Sequence, residues 1–238
     1  MDKLLTLLKG IHDKNRIQYK NEVIGDSIST GYEVLDQAIV YGGLPKGKIT
    51  EIFGAPGVGK TSVSYHVIKK AQDDNYICCY IDVENAFDKQ YAKKLGIKLQ
   101  ELMIIQPKNG EILYLDIQKM VNAKCIDLIV IDSLPALTFA KEIPMLDDEQ
   151  VRYQHMSGFI MGLITLIENS NTVLLILNQV RAMGRRPSKK IMNHYANLII
   201  ELKKIKSLKK DDILIGYQLE ANIIKGLKTE NPIFELYR

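Results

Sequence analysis

The chain has 238 residues, 46% of them hydrophobic, and a formal net charge of +4. That apolar content supports one substantial core with at most a small appendage, and so slight a charge excess identifies no partner by itself. No apolar run approaches the roughly 20 residues that span a bilayer, and the start MDKLLTLLKG is too short and too charged for a signal peptide, so a cytosolic protein without a membrane partner is expected.

Cys78 and Cys79 are adjacent inside an apolar run and Cys125 stands apart; the odd count and the adjacency argue against bridges, and all three read as buried thiols in a reducing compartment. His12, His66, His155 and His194 have no ligand-like spacing with them, so no structural metal site is expected.

In chain order, Leu4, Leu7, Leu8 and Ile11 recur at helical spacing, followed by the aperiodic polar stretch HDKNRIQYKNEVIGDS. Residues 1–27 are therefore expected to be a short amphipathic helix on a tether, and 28–238 the folded core. From Thr50 onward, ITEIF, YICCYID, LMIIQ, DLIVID and TVLLILN are continuous apolar runs of strand length, each separated from the next by a helix-sized segment. That pattern is expected of parallel strands covered on both faces. The segment Gly110 to Lys124 shows the helix period directly, with Leu113, Ile117, Met120 and Val121 on one side. After Asn197 come LIIEL, DILIGYQLEANII and PIFELYR with only short turns, which predicts antiparallel strands added at one edge. The fold class is α/β: a mostly parallel central sheet flanked by helices, with antiparallel strands at the C-terminal edge.

Gly54, Ala55, Pro56, Gly57, Val58, Gly59, Lys60 and Thr61 fit the phosphate-binding pattern G-x-x-x-x-G-K-[ST], placed directly after the ITEIF strand and before a helical stretch that opens with Ser62. Glycines let backbone amides turn inward around phosphate oxygens, and the helix N-terminus adds positive potential. Lys60 is then expected to reach the β- and γ-phosphates of a nucleotide and Thr61 to hold Mg²⁺. Asp132 closes the DLIVID strand, where a hydrolysing P-loop needs a metal-organising carboxylate; the alternative is a helix cap. Glu84 lies two residues beyond the strand ending in Asp82, a place suited to orienting and deprotonating water, though spacing alone leaves a solvated loop glutamate open.

The agreement extends beyond the phosphate motif. ISTGYEVLDQAI, GGLPKGKITEIFGAPGVGKTS, IDVENAFDKQYAKKLGI, DLIVIDSLPALT, LILNQVR and the closing strands follow, in order and spacing, the pattern of bacterial RecA, which this chain resembles nearly collinearly from Ile28 onward. The resemblance implies a RecA-like P-loop core, and with it ATP-dependent binding of single-stranded DNA as a filament, homologous pairing with duplex DNA, and DNA-dependent ATP hydrolysis. It assigns Glu84 to activating the hydrolytic water, Asp88 and Tyr91 to adenine, and Gln179 to sensing the γ-phosphate and relaying its state to a DNA loop.

Two loops are expected to bind DNA if the resemblance holds. The first, about Pro144 to Met156, contains Arg152 and Tyr153 but also Asp147, Asp148 and Glu149. The second, from Arg181 to about Met192, carries Arg181, Arg185, Arg186, Lys189 and Lys190 without an acid, a composition suited to a phosphodiester backbone and equally to a solvated surface. Filaments of the family place ATP between protomers and reach it with lysines of the next subunit; Lys225 matches the first of these, while Leu227 takes the second position and Lys228 is displaced by one. The N-terminal helix is similar to the one that docks on a neighbouring protomer. Ending at Arg238, the sequence lacks the separate C-terminal domain of full-length bacterial RecA, so a minimal form is expected. Two other readings remain: a non-catalytic paralogue that modulates another recombinase filament, and a ring-forming motor on the same core.

Overall fold

The computed structural model describes residues 26–139, 149–180, 186 and 188–237. The expected N-terminal helix and most of its tether lie outside them. A two-stranded antiparallel piece, β1 (Ser27–Ile28) with β2 (Leu44–Pro45), brackets the short helix α1 (Glu33–Ala38). The chain then enters β3 (Ile49–Gly54), buried along its whole length, and passes through the glycine-rich turn into α2 (Lys60–Asp73). Next come β4 (Cys78–Asp82), α3 (Lys89–Lys94), β5 (Leu102–Ile105), α4 (Gly110–Asn122), β6 (Leu128–Asp132) and α5 (Glu149–Glu168). β7 (Val173–Gln179), α6 (Lys189–Tyr195) and three strands, β8 (Leu198–Lys210), β9 (Ile213–Lys225) and β10 (Ile233–Tyr237), complete the described elements.

The main sheet has the order β10-β9-β8-β3-β7-β6-β4-β5. From β8 to β5 every neighbouring pair is parallel, as the continuous apolar runs predict. Each face has its own core. Ile52, Val130, Leu175 and Ile200 pack with Leu35 of α1 and Val63, Val67 and Ile68 of α2. Ile49, Phe53, Ile129 and Ile176 pack on the opposite face with α4, α5 and α6. In α4 the side chains of Leu113, Ile117 and Val121 are buried, recurring at the helix period, each burial stabilising the fold by about 1.5–3 kcal/mol. Asn109 starts that helix by accepting a hydrogen bond from the Ile112 amide at 2.9 Å.

Three expectations change. LIIEL is not an antiparallel strand: it opens β8, which runs parallel to β3 with Thr50 opposite Leu198, and antiparallel pairing begins only between β8 and β9. The connection through α6 returns the chain to the end of the sheet from which β3 starts, which sets the direction where apolar patterning cannot. The first expected DNA loop is helical in its second half, since α5 begins at Glu149 and already includes Arg152, Tyr153 and Met156. Cys125 is exposed in the turn after α4, whereas Cys78 and Cys79 are buried free thiols that burial pushes up to about 12. No helix of the described residues is long and apolar enough to cross a membrane.

Candidate active site

The strand order gathers the carboxyl ends of β3, β4, β6 and β7 at one edge, where ligands bind in open parallel sheets. The turn after β3 can reach that edge only with glycines: Gly57 has φ +70° and Gly59 φ +110°, and a Cβ on Gly59 would stand 2.5 Å from the Leu236 side chain. Gly59 is also the residue from which α2 springs, and no acidic side chain in the first turn opposes the positive end of that helix. Lys60 is 7% exposed and donates from Nζ to the carbonyls of Gly54 (3.1 Å) and Ala55 (2.9 Å). Desolvation lowers its pKa, and the nearby Asp132 and Glu84 carboxylates oppose the shift, so the ammonium is held among acids that favour its charge.

Thr61 Oγ1 donates to Asp132 Oδ2 at 2.7 Å, and the hydroxyl of the buried Tyr80 donates to the same oxygen at 2.6 Å. Burial raises the pKa of Asp132, and these two bonds pull it back. A hydroxyl oxygen whose proton is taken up by a carboxylate is a hard donor, and this pair fits Mg²⁺, which takes few protein ligands when phosphates and water supply the rest. Asp132 is thus tied to the residue that follows Lys60 and faces the same cleft, while Ser133 takes the N-cap position of the turn that follows.

Glu84 is presented by a loop that Asp82 braces. Oδ1 of Asp82 accepts from the Ala86 amide at 2.9 Å, and Oδ2 accepts from the Phe87 amide and Gln106 Nε2, both at 3.1 Å. Behind the loop, the Phe87 ring packs on Tyr65 and Tyr80 with centroids 5.2 and 5.0 Å away. Oε1 of Glu84 accepts from Ser133 Oγ and, at 2.9 Å, from Gln179 Nε2. The two residues expected to activate water and sense phosphate, 95 positions apart in the chain, are therefore hydrogen-bonded to each other.

A cleft of about 360 Å³ opens over these groups. Lys60, Thr61, Glu84, Asp132, Gln179 and Tyr91 all line it, together with Pro56, Gly57, Gly59 and Ser62. Asp88 caps α3: its Oδ1 accepts from the amides of Gln90 (3.0 Å) and Tyr91 (2.9 Å), so it orients the helix that carries Tyr91. Sequence reading missed Tyr217, Leu236, Ser133 and Tyr80. Tyr217 of β9 and Leu236 of β10 complete the cleft wall from the far end of the chain, and no spacing signal marks them. Ser133 had only its adjacency to Asp132.

Arg181 and Arg185 lie outside the described residues, as does the side chain of Arg152. Lys189 and Lys190 are exposed, in the first turn of α6 and not in a loop. Arg186 is buried, 3.1 Å from Glu51 and stacked over Phe53 with its guanidinium carbon 4.1 Å from the ring centroid. The expectation that it faces DNA fails in this arrangement, because a guanidinium compensating a buried carboxylate is not available to a phosphate. Lys225 is half-buried at the end of β9, with Nζ 3.5 Å from the carbonyls of Asn193 and His194, and Lys228 is exposed beyond it.

Fold and site together define an α/β protein of the P-loop class, with a carboxylate and an amide beside the glycine-rich turn. Comparison with known proteins narrows the class. A family model described as the RecA N-terminal domain matches residues 12–235. The Protein RecA of Ehrlichia chaffeensis is 35% identical over 212 residues, covering 84% of this chain and 59% of that protein. The Protein RecA of Helicobacter pylori strain G27 is 36% identical over 213 residues, covering 84% and 61%, and that of Anaplasma marginale strain Florida 35% identical over 212 residues. The chain belongs to the RecA family. It spans about 60% of the length of these relatives, between 59% and 61%.

Proposed function

We propose that the chain is a cytosolic, DNA-dependent ATPase that binds single-stranded DNA as a filament and pairs it with homologous duplex. The observation that carries the reading is the Glu84–Gln179 hydrogen bond at the mouth of the P-loop cleft. A carboxylate beside the phosphate turn is a general base for water. An amide bonded to it, at the tip of the strand leading to the basic segment, changes partners when a phosphate arrives and so couples nucleotide state to that segment. Lys60 and the α2 N-terminus would bind the β- and γ-phosphates, Tyr91 would lie against adenine, and Thr61 with Asp132 would hold Mg²⁺. Bound Mg²⁺ supplies charge neutralisation on the transferred phosphoryl group. Arg181, Arg185, Lys189 and Lys190 remain the proposed phosphate contacts to DNA, with Arg152 on α5.

ATP turnover measured with and without single-stranded DNA, alongside electron micrographs, tests this. Stimulation by DNA together with filaments is expected. Tight ATP binding with no turnover in either condition would favour an accessory paralogue, and closed rings a motor.

Lys225 is proposed to complete the site of the next protomer. Its register supports this: Lys225 pairs with Ile199, which lies opposite Glu51, so it stands three residues down β3 from Gly54 and toward the end of the sheet away from its own P-loop. Lys228 lies further along the same edge, where its amide bonds the Ala38 carbonyl at 2.8 Å. Supplying charge across the interface makes hydrolysis depend on assembly. Lys225→Ala subunits mixed with Lys60→Ala subunits are expected to regain part of the ATPase that each has lost, because mixed interfaces pair an intact P-loop with an intact lysine. Mixtures that co-assemble yet stay as inactive as their parents would show that Lys225 does not act in trans.

A further inference from the structure

One buried carboxylate belongs to none of the nucleotide-facing groups. Glu51 sits in β3, three residues before Gly54, and is wholly shielded from solvent. An ionised carboxylate there is strongly disfavoured unless it is paired and hydrogen-bonded. Its partners come from the two ends of one chain segment. Asn178, the penultimate residue of β7, donates from Nδ2 to Glu51 Oε1 at 2.8 Å. Arg186, just before α6, places Nη1 3.1 Å from Oε2. Neither Nη1 nor Oε2 has a hydrogen-bond partner among the described residues, so each is the other's compensation. Burial pushes Glu51 up to about 7, with Arg186 and then Asn178 pulling it down, so these two partners are what favour the charged form.

Both ends are tied onward. Arg186 donates from Nη2 to Asn193 Oδ1 of α6, and the Asn178 Oδ1 accepts from the Gln179 amide at 2.9 Å. Gln179 is in turn the residue bonded to Glu84 at the cleft. A single carboxylate thus joins the strand before the basic segment to the helix after it and, through Gln179, to the loop that carries Glu84.

We infer that Glu51 is a positioning residue that clamps both ends of the basic segment, with Arg186 as its internal counter-ion and not a contact to DNA. The consequence for DNA rests on the proposed function; the clamp itself does not. Simple electrostatics predicts the opposite sign, because removing an anion beneath a basic surface strengthens its attraction for phosphate.

The test compares Glu51→Gln, Arg186→Met and the double variant by titrating a labelled oligothymidylate with a slowly hydrolysed ATP analogue present. Each single substitution is expected to weaken DNA binding about tenfold or more and the double variant no further, since the two act as one unit. Affinity for a fluorescent adenine nucleotide should stay within about twofold, because neither Glu51 nor Arg186 lines the cleft. A Glu51→Gln protein that binds DNA as tightly as the parent or more tightly overturns the clamp, as does an Arg186→Met defect that adds in full to it. Amide hydrogen exchange gives a readout free of DNA: the amides of Val180, Lys189 and Met192, bonded to Gly54, Arg186 and Ser188, should exchange faster in both single variants while those of α2 do not. Unchanged exchange at those three amides also overturns it. If the parent fails to bind DNA, the proposed function falls and exchange still decides the clamp. If Glu51→Gln does not fold, Glu51→Leu with Arg186→Met removes both charges from the core and takes its place; DNA binding as tight as the parent's in that pair overturns the clamp, and the tenfold loss supports it.

Discussion

Replacing Glu84 by glutamine should leave ATP bound while turnover falls by about 10²–10⁴-fold, the usual contribution of a positioned general base. The geometry makes this a clean substitution. In the parent, Oε1 accepts from Ser133 Oγ and Gln179 Nε2, and a glutamine keeps an oxygen able to accept both bonds. What it loses is the capacity to take a proton from water. Nucleotide affinity, measured by equilibrium titration, should therefore change little, and DNA complexes formed with ATP should persist instead of dissociating after hydrolysis. Turnover close to that of the parent would mean that Glu84 is not the base, whatever it touches.

Replacing Lys60 by alanine should produce the opposite pattern, with binding itself lost. Lys60 is buried, holds the Gly54 and Ala55 carbonyls, and has its pKa lowered by desolvation against the opposing pull of the Asp132 and Glu84 carboxylates. Without it, two acids face an incoming polyphosphate with no cation between them. Hydrogen bonds to charged groups contribute about 1.5–3 kcal/mol each, so loss of even one to phosphate weakens ATP by about tenfold to a hundredfold. With the repulsion added, no ATP-dependent assembly on DNA is expected. Calorimetric titration of nucleotide checks this, with circular dichroism to show that the sheet is intact. ATP affinity unchanged by the substitution would remove Lys60 from the site.

The two variants therefore separate the roles that one cleft combines. A protein that cannot bind ATP and one that binds but cannot hydrolyse it should differ on DNA: the first absent, the second retained. That contrast also distinguishes the ATPase reading from an accessory module in which nucleotide is structural, where Glu84→Gln would have no turnover to lose.

Much of this site was legible before any tertiary structure. The phosphate turn is contiguous, and its glycines, Lys60 and Thr61 are required by the local geometry of backbone amides around an anion, so eight consecutive residues carry the signal. Asp132 and Glu84 were found because parallel strands deliver their carboxyl ends to one edge, and apolar runs bounded by an acid mark those ends. Family resemblance added Gln179, whose hydrogen bond to Glu84 no spacing rule would have suggested.

Other features needed the fold. Tyr217 and Leu236 join the cleft only because β9 folds back on β8 and β10 on β9, and the direction of β8 depended on the route through α6, since burial on both faces looks the same for a strand of either sense. Arg186 shows most plainly what composition leaves out. In a run of cations it reads as one more surface charge, because sequence reports local density and not what lies beneath. Its place was decided by Glu51, 135 positions earlier, where an acid inside an otherwise apolar strand requires a counter-charge that water does not supply. Local sequence determined the glycine-rich turn; the desolvation of one carboxylate, which exists only once the sheet is packed, decided that Arg186 lies inside the protein and not on its surface.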